Sequence, residues 1–116
     1  MYYLDGDLNR AEIRFRQALQ LNPQEAMAHN NLAAIYIDRG DLWRGEMELN
    51  KELAINPNYD KALFNLGRIY YLRGQYQEAG VLWQKALKAN PYNQEATWAL
   101  QELLNKLKTE KSDLDK

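Results

Sequence analysis

Apolar positions along the chain recur at steps of three and four, and short polar segments carrying glycine or Asn-Pro interrupt them. That spacing places the apolar residues on one face of successive helices. The clearest stretch runs from Asp60 to Asn93. Leu63, Leu66, Gly67 and Tyr70 share the face of a first helix, which Leu72-Arg73-Gly74 ends, because glycine takes the left-handed backbone that closes a helix at little steric cost. Tyr76, Ala79, Trp83, Ala86 and Leu87 form the stripe of a second helix. Asn90-Pro91 stops it, since proline disfavours helical geometry in the residue before it.

The punctuation is periodic. Gly6, Gly40 and Gly74 are 34 residues apart, as are Pro23, Pro57 and Pro91, and Tyr2, Tyr36 and Tyr70 keep the same step. Leu8, Leu42 and Tyr76 follow it too. Coincident ladders at one period are the mark of a repeat architecture, in which each helix pair buries its faces against its neighbours.

With Asp60 as the start of a unit, Leu66-Gly67, Tyr70, Gly74, Ala79, Trp83, Ala86 and Pro91 fall on the signature positions of the tetratricopeptide repeat, which the chain resembles. The resemblance implies an all-α fold, an α-solenoid of antiparallel helix pairs forming a superhelix. About two and a half repeats and a C-terminal closing helix are expected within a single domain, residues 1–108. Residues 1–25 are a partial repeat, 26–59 and 60–93 complete ones, 94–108 the closing helix and 109–116 a polar tail.

In chain order, Met1 to Leu4 reads as the last turn of a first helix. Asp5-Gly6-Asp7 is then the interhelix turn with Asp7 as N-cap, and a second helix runs from Leu8 to Leu21 with Leu8, Ala11, Phe15, Ala18 and Leu19 inward. The unit at 26–59 departs most from the pattern. Gly45 stands where Ala11 and Ala79 stand, Leu49 where Phe15 and Trp83 stand, and Glu52 where Ala18 and Ala86 stand. A mid-helix glycine costs about 1 kcal/mol against alanine, so this helix is expected to be the softest. Ala96, Trp98, Ala99, Leu100, Leu103, Leu104 and Leu107 give the closing helix its apolar stripe, and Thr109 to Lys116 is expected to fray.

Composition narrows the function classes. Fifteen basic against sixteen acidic residues leave a formal charge of −1, so nothing draws the chain toward nucleic acid or an anionic membrane. There is no cysteine, hence no disulfide and no thiolate metal site. No apolar run approaches the roughly 20 residues of a spanning helix, and a soluble, cytoplasmic chain is expected. The single histidine, His29, lies among apolar faces and reads as structural. No nucleophile beside a base, metal-ligand motif or phosphate-cradling loop is present. The chain is therefore expected to be no enzyme, with no catalytic residue, metal site or cofactor.

What the resemblance implies for function is a concave groove lined by the first helix of each pair. Its addresses fall on Met27, Asn30, Asn31, Ala34 and Ile37 in one unit and Lys61, Phe64, Asn65, Arg68 and Tyr71 in the next. Glu95, Trp98, Ala99 and Glu102 come from the closing helix. Amide, aromatic and cationic groups together suit an extended peptide or protein segment, because an amide both donates to and accepts from a peptide backbone. Asn31 and Asn65, one repeat apart, resemble the asparagine ladder of peptide-holding members; asparagine tolerated on an exposed face is the other reading. Phe64 reads as a groove anchor, with packing onto Trp98 as its alternative. Members that capture the C-terminal carboxylate of heat-shock chaperones use five side chains. Asn31 and Lys61 match two of them and Asn65 stands in place of the arginine, so that clamp is incomplete.

Three further readings stay open. The units could serve as a structural or self-association module, or as an accessory domain that positions substrates for a larger protein. Leu8, Ala11 and Phe15 lack a full first helix to cover them, so a homodimer through the N-terminal face is expected. Trp43 and Met47 share a convex helix face; exposed, such a pair marks a protein contact, and the other reading, the one expected, is that they are half-buried against a neighbouring helix.

Overall fold

A computed structural model describes residues 5–25 and 27–114. These form helices α1 (Asp5–Leu21), α2 (Ala28–Asp38), α3 (Leu42–Ile55), α4 (Asp60–Leu72), α5 (Tyr76–Ala89) and α6 (Gln94–Leu114), with no strand among the described residues. They fall into two compact units, Met1–Pro57 and Asn58–Lys116. In the first unit α2 packs against α1 and α3, and in the second α5 packs against α4 and α6. The all-α fold built from helix pairs is the one expected.

The glycine turns are built as the spacing predicts. Gly40 and Gly74 have φ of +81° and +80°. At the first turn Gly40 N–H donates to Ile37 O at 2.9 Å and Asp41 N–H to Tyr36 O at 2.8 Å; Gly74 and Gln75 repeat both bonds onto Tyr71 O and Tyr70 O at the same lengths. This is the Schellman arrangement, which satisfies the last carbonyls of α2 and α4 and needs a residue that tolerates positive φ. Asp41 then caps α3, its Oδ1 accepting from Arg44 N–H at 3.2 Å. The Asn-Pro stops work through the asparagine side chain: Asn90 Oδ1 accepts from Tyr92 N–H at 3.1 Å and Asn22 Oδ1 from Gln24 N–H at 3.1 Å. Those are Asx turns, which let the chain leave a helix without stranding its donors.

The third expected turn is not formed. Asp5, Gly6 and Asp7 belong to α1, which runs unbroken from Asp5 to Leu21, so Asp7 is no N-cap. A glycine permits a left-handed turn without compelling it. The expected helical turn at residues 1–4 and the start of a unit at Ala26 lie outside the described residues. Beyond Lys108, α6 continues to Leu114 instead of fraying. Lys and Glu are good helix formers, and Lys106 pairs with Glu110 one turn on at 3.7 Å.

The first unit is held by polar contacts as well as by Leu32, Ala33, Tyr36 and Leu49, all buried. Arg39 donates to Glu12 Oε1 and to Asn9 Oδ1, tying the end of α2 to α1. Arg16 donates to Tyr36 Oη at 2.5 Å and pairs with Glu12 at 2.8 Å. Glu52, only 1% exposed at a position where other repeats carry alanine, accepts from Asn30 N–H in the first turn of α2 at 3.1 Å. The residue before α2, Met27, makes no side-chain cap, so α3 supplies an acceptor from across the pair. Leu8, Ala11 and Phe15 on α1 are half-buried.

His29 is buried between two oxygens. Its Nδ1 lies 2.7 Å from a Glu48 carboxylate oxygen and its Nε2 2.7 Å from Pro23 O. A doubly protonated ring donates to both, a neutral one to only one. Trp43 and Met47 differ from expectation: they are 67% and 41% exposed, because the inward face of α3 is taken by Gly45, Leu49 and Glu52.

Candidate functional site

The second unit contains a cleft of about 560 Å³ between α4 and α6, within the range of sites that take a ligand group. Its lining follows from how each helix is set. Ala96, Ala99 and Leu103 are buried, which turns Glu95, Trp98 and Glu102 to the outer edge of α6. On α4, Leu63, Leu66 and Ile69 are buried, leaving Phe64, Arg68, Tyr71 and Leu72 along the cleft wall. Trp83 of α5 is the floor.

That floor is fixed. The Trp83 indole N–H donates to Phe64 O at 3.1 Å, and its ring stacks on Phe64 at a centroid separation of 6.4 Å and tilts on Tyr71 at 5.8 Å. The close approach depends on Gly67, since a Cβ there would lie 2.4 Å from Trp83 Nε1. Asp60, at the start of α4, accepts from Asn90 Nδ2 at 3.1 Å and Asn93 Nδ2 at 2.8 Å. Asn93 Oδ1 in turn accepts from Ala96 N–H at 2.9 Å, capping α6. One carboxylate thus joins the loop before α6 to the start of α4, and the two cleft walls are held by the same turn.

Of the expected site residues, the cleft brings together Phe64, Arg68, Tyr71 and Trp98. Trp98 is 66% exposed. Phe64 is half-buried and stacks on Trp83 rather than on Trp98. The Arg68 guanidinium sits 6.0 Å from the Phe64 ring centroid and donates to Asn65 Oδ1 at 3.4 Å. Asn65 and Asn30, expected as open groove amides, are only 8% and 5% exposed. Each has turned with the buried side of its helix, beside Leu66 and His29, and the asparagine ladder is not an exposed one. Asn31 and Lys61 are exposed, Ala34 is half-buried, and Met27 is 52% exposed at the N-terminus of α2.

Leu72, Gln94 and Trp83 line the cleft without having been expected there. Leu72 carried a signal, being one turn beyond Arg68 and two beyond Phe64. Trp83 carried none, since a core tryptophan and a cleft floor share one helical address. A second cleft, about 620 Å³ in the first unit, is lined by Arg16, Pro23, His29, Tyr36, Glu48 and Lys51 among others. Its charged groups and His29 are engaged with one another or with nearby oxygens: Arg16 with Tyr36, His29 with Glu48 and Pro23, Lys51 with Glu48 at 3.2 Å. Among the described residues no group of three or more potential metal ligands converges, and no helix is long and apolar enough to cross a membrane.

Two models of the tetratricopeptide repeat family match the chain, one over residues 60–93 and one over residues 15–47. The chain belongs to the tetratricopeptide repeat family. No curated protein matches its sequence significantly. Among solved structures it is similar to the first TPR of Spaghetti (RPAP3) bound to the HSP90 peptide SRMEEVD, with 24% identity, TM-score 0.79, and coverage of 88% of this chain and 81% of that one. It is also similar to the Arabidopsis OM64 TPR domain, with 26% identity, TM-score 0.77, and coverage of 83% and 79%. The Sgt2 TPR domain of Aspergillus fumigatus gives 20% identity, TM-score 0.81, and coverage of 92% and 72%.

Proposed function

We propose that the chain is a non-enzymatic binding module that holds an extended peptide or partner segment in the cleft between α4 and α6. The observation that carries this reading is the exposed Trp98 beside a rigid aromatic floor. A large aromatic left 66% exposed forfeits much of its burial free energy, about 1.5–3 kcal/mol. A partner's apolar side chain placed against it recovers that term, and tryptophan is a frequent anchor of binding surfaces. Tyr71 and Phe64 extend the apolar wall, and Arg68 with Glu95 and Glu102 gives it a polar rim. A domain of the same fold holding a peptide supports the reading further. In the first unit, the exposed Asn31 offers its amide to a peptide backbone.

Selection of peptides from a random display library on the intact chain tests this. Trp98→Ala should abolish binding of the selected peptides while leaving the circular dichroism spectrum unchanged, because Trp98 adds little to the core. Retention of full affinity by that variant would refute the site. Phe64 is a poorer probe, since its removal unstacks Trp83.

A further inference from the structure

The charges along the rim of the cleft are unevenly placed. Glu95 and Glu102 lie one turn before and one turn after Trp98 on the same edge of α6, both exposed, so their carboxylates straddle the indole at a spacing of about 10 Å along the helix. The single cation of the lining, Arg68, is on the opposite wall, set over the Phe64 ring and bonded to Asn65. An anionic group approaching Trp98 meets two like charges before it meets Arg68. A cationic group meets two carboxylates and the open face of an indole, which attracts cations through its ring quadrupole. The cleft therefore differs in charge preference from one suited to an acidic segment such as the SRMEEVD held by the similar Spaghetti domain.

We infer that the α4–α6 cleft selects a partner segment in which an apolar anchor is flanked on both sides by Lys or Arg, the anchor seated against Trp98 and Trp83 and the cations against Glu95 and Glu102. The inference rests on the peptide-binding reading above and adds the chemistry of the partner. A segment of this kind, about three residues from one cation to the next in extended or polyproline geometry, spans the distance between the two carboxylates. Rim pairs are individually weak and screened by salt. Two together still give about tenfold preference over a segment of opposite charge.

The test uses the whole chain and two capped seven-residue peptides. One has two lysines three residues apart with a leucine between them, and the other has glutamate in place of each lysine. Binding is followed by ¹⁵N chemical-shift titration. The expected result is about tenfold tighter binding of the lysine peptide in about 0.05 M salt, shrinking in about 0.5 M salt. The preference should be lost in Glu95→Gln/Glu102→Gln, whose helicity circular dichroism confirms. Equal or tighter binding of the glutamate peptide overturns the charge inference alone. So does a lysine preference that survives the double substitution. If neither peptide shifts Trp98 and its neighbours, the peptide-binding reading falls, and this inference with it.

Discussion

Gly67→Ala is the substitution on which the packing of the second unit turns. Taken alone, alanine in a helix interior is worth about 1 kcal/mol more than glycine, so local propensity predicts a stabilised α4. The structure predicts the reverse. A Cβ at residue 67 would stand 2.4 Å from Trp83 Nε1, 2.6 Å from Cδ1 and 3.0 Å from Cε2, and ordinary contact requires the ring to retreat by about 1 Å. Its neighbours resist that retreat: the ring is 3% exposed, stacked on Phe64 and tilted on Tyr71. Retreat also draws Nε1 away from Phe64 O. Overpacking costs about 1–3 kcal/mol and a buried indole N–H left unpaired about 1–3 kcal/mol more. Against the 1 kcal/mol gain, the net is destabilisation by about 1–5 kcal/mol.

Chemical and thermal denaturation read this directly, at about 4 °C per kcal/mol for a chain of this size. Gly80→Ala is the control: its Cβ would meet only the tip of Leu103, Cδ2 at 3.3 Å, and a side chain's end gives way cheaply, so that variant should lie within about 0.5 kcal/mol of wild type or above it. The adjacent repeat supplies a second arm. The positions equivalent to Gly67 and Trp83 carry Ala33 and Leu49, both fully buried. Gly67→Ala should then cost less in a Trp83→Leu background than in wild type, a coupling that a double-mutant cycle isolates. A Gly67→Ala protein as stable as wild type, or a cycle with no coupling, would refute the notch-and-indole account.

Other consequences follow from the same contacts. Gly40→Ala and Gly74→Ala should each lose about 1 kcal/mol or more by denaturation, because a side chain at φ near +80° is strained; unchanged stability in both would contradict the turn geometry. Glu52→Ala installs the residue other repeats carry, yet it should destabilise by about 1–3 kcal/mol, since it removes the acceptor of Asn30 N–H. Glu52→Gln, which keeps an acceptor, should recover most of the loss. The Glu12 carboxyl is held below the ordinary value of 4.5, chiefly by the hydrogen bond from Arg39, with the charge of Arg16 assisting against burial. Because the folded value is the lower one, the stabilisation is complete above about pH 4.5 and is lost as pH falls through the folded value. Glu12→Gln should therefore flatten the acid side of the melting-temperature profile, and an unaltered acid slope would show that Glu12 is not coupled to folding.

The parts legible in the sequence are those that each repeat must solve locally. A glycine at positive φ, an Asn-Pro stop and an apolar stripe depend on residues within a few turns of one another, and the period of 34 states them repeatedly. Rotational setting is a different matter, because it is decided by what packs opposite. Asn30 and Asn65 share helix faces with exposed residues by spacing alone, and only the packing of α2 and α4 turns them inward. The Asp5–Asp7 segment has the composition of its two homologous turns yet belongs to α1, so composition misled. The cleft shows both effects at once. Its α4 wall follows from repeat addresses, whereas its α6 wall lies in a helix after the last matched repeat. Whether Trp98 faced a neighbour or open solvent there hung on Ala96, Ala99 and Leu103 becoming the buried face. Alanine at two of those three positions brings α6 close to α5 by offering little bulk, and the larger residues are displaced to the edge. The same choice of small inward residues that seats the closing helix is what leaves an indole and two carboxylates outward, available to something other than the chain itself.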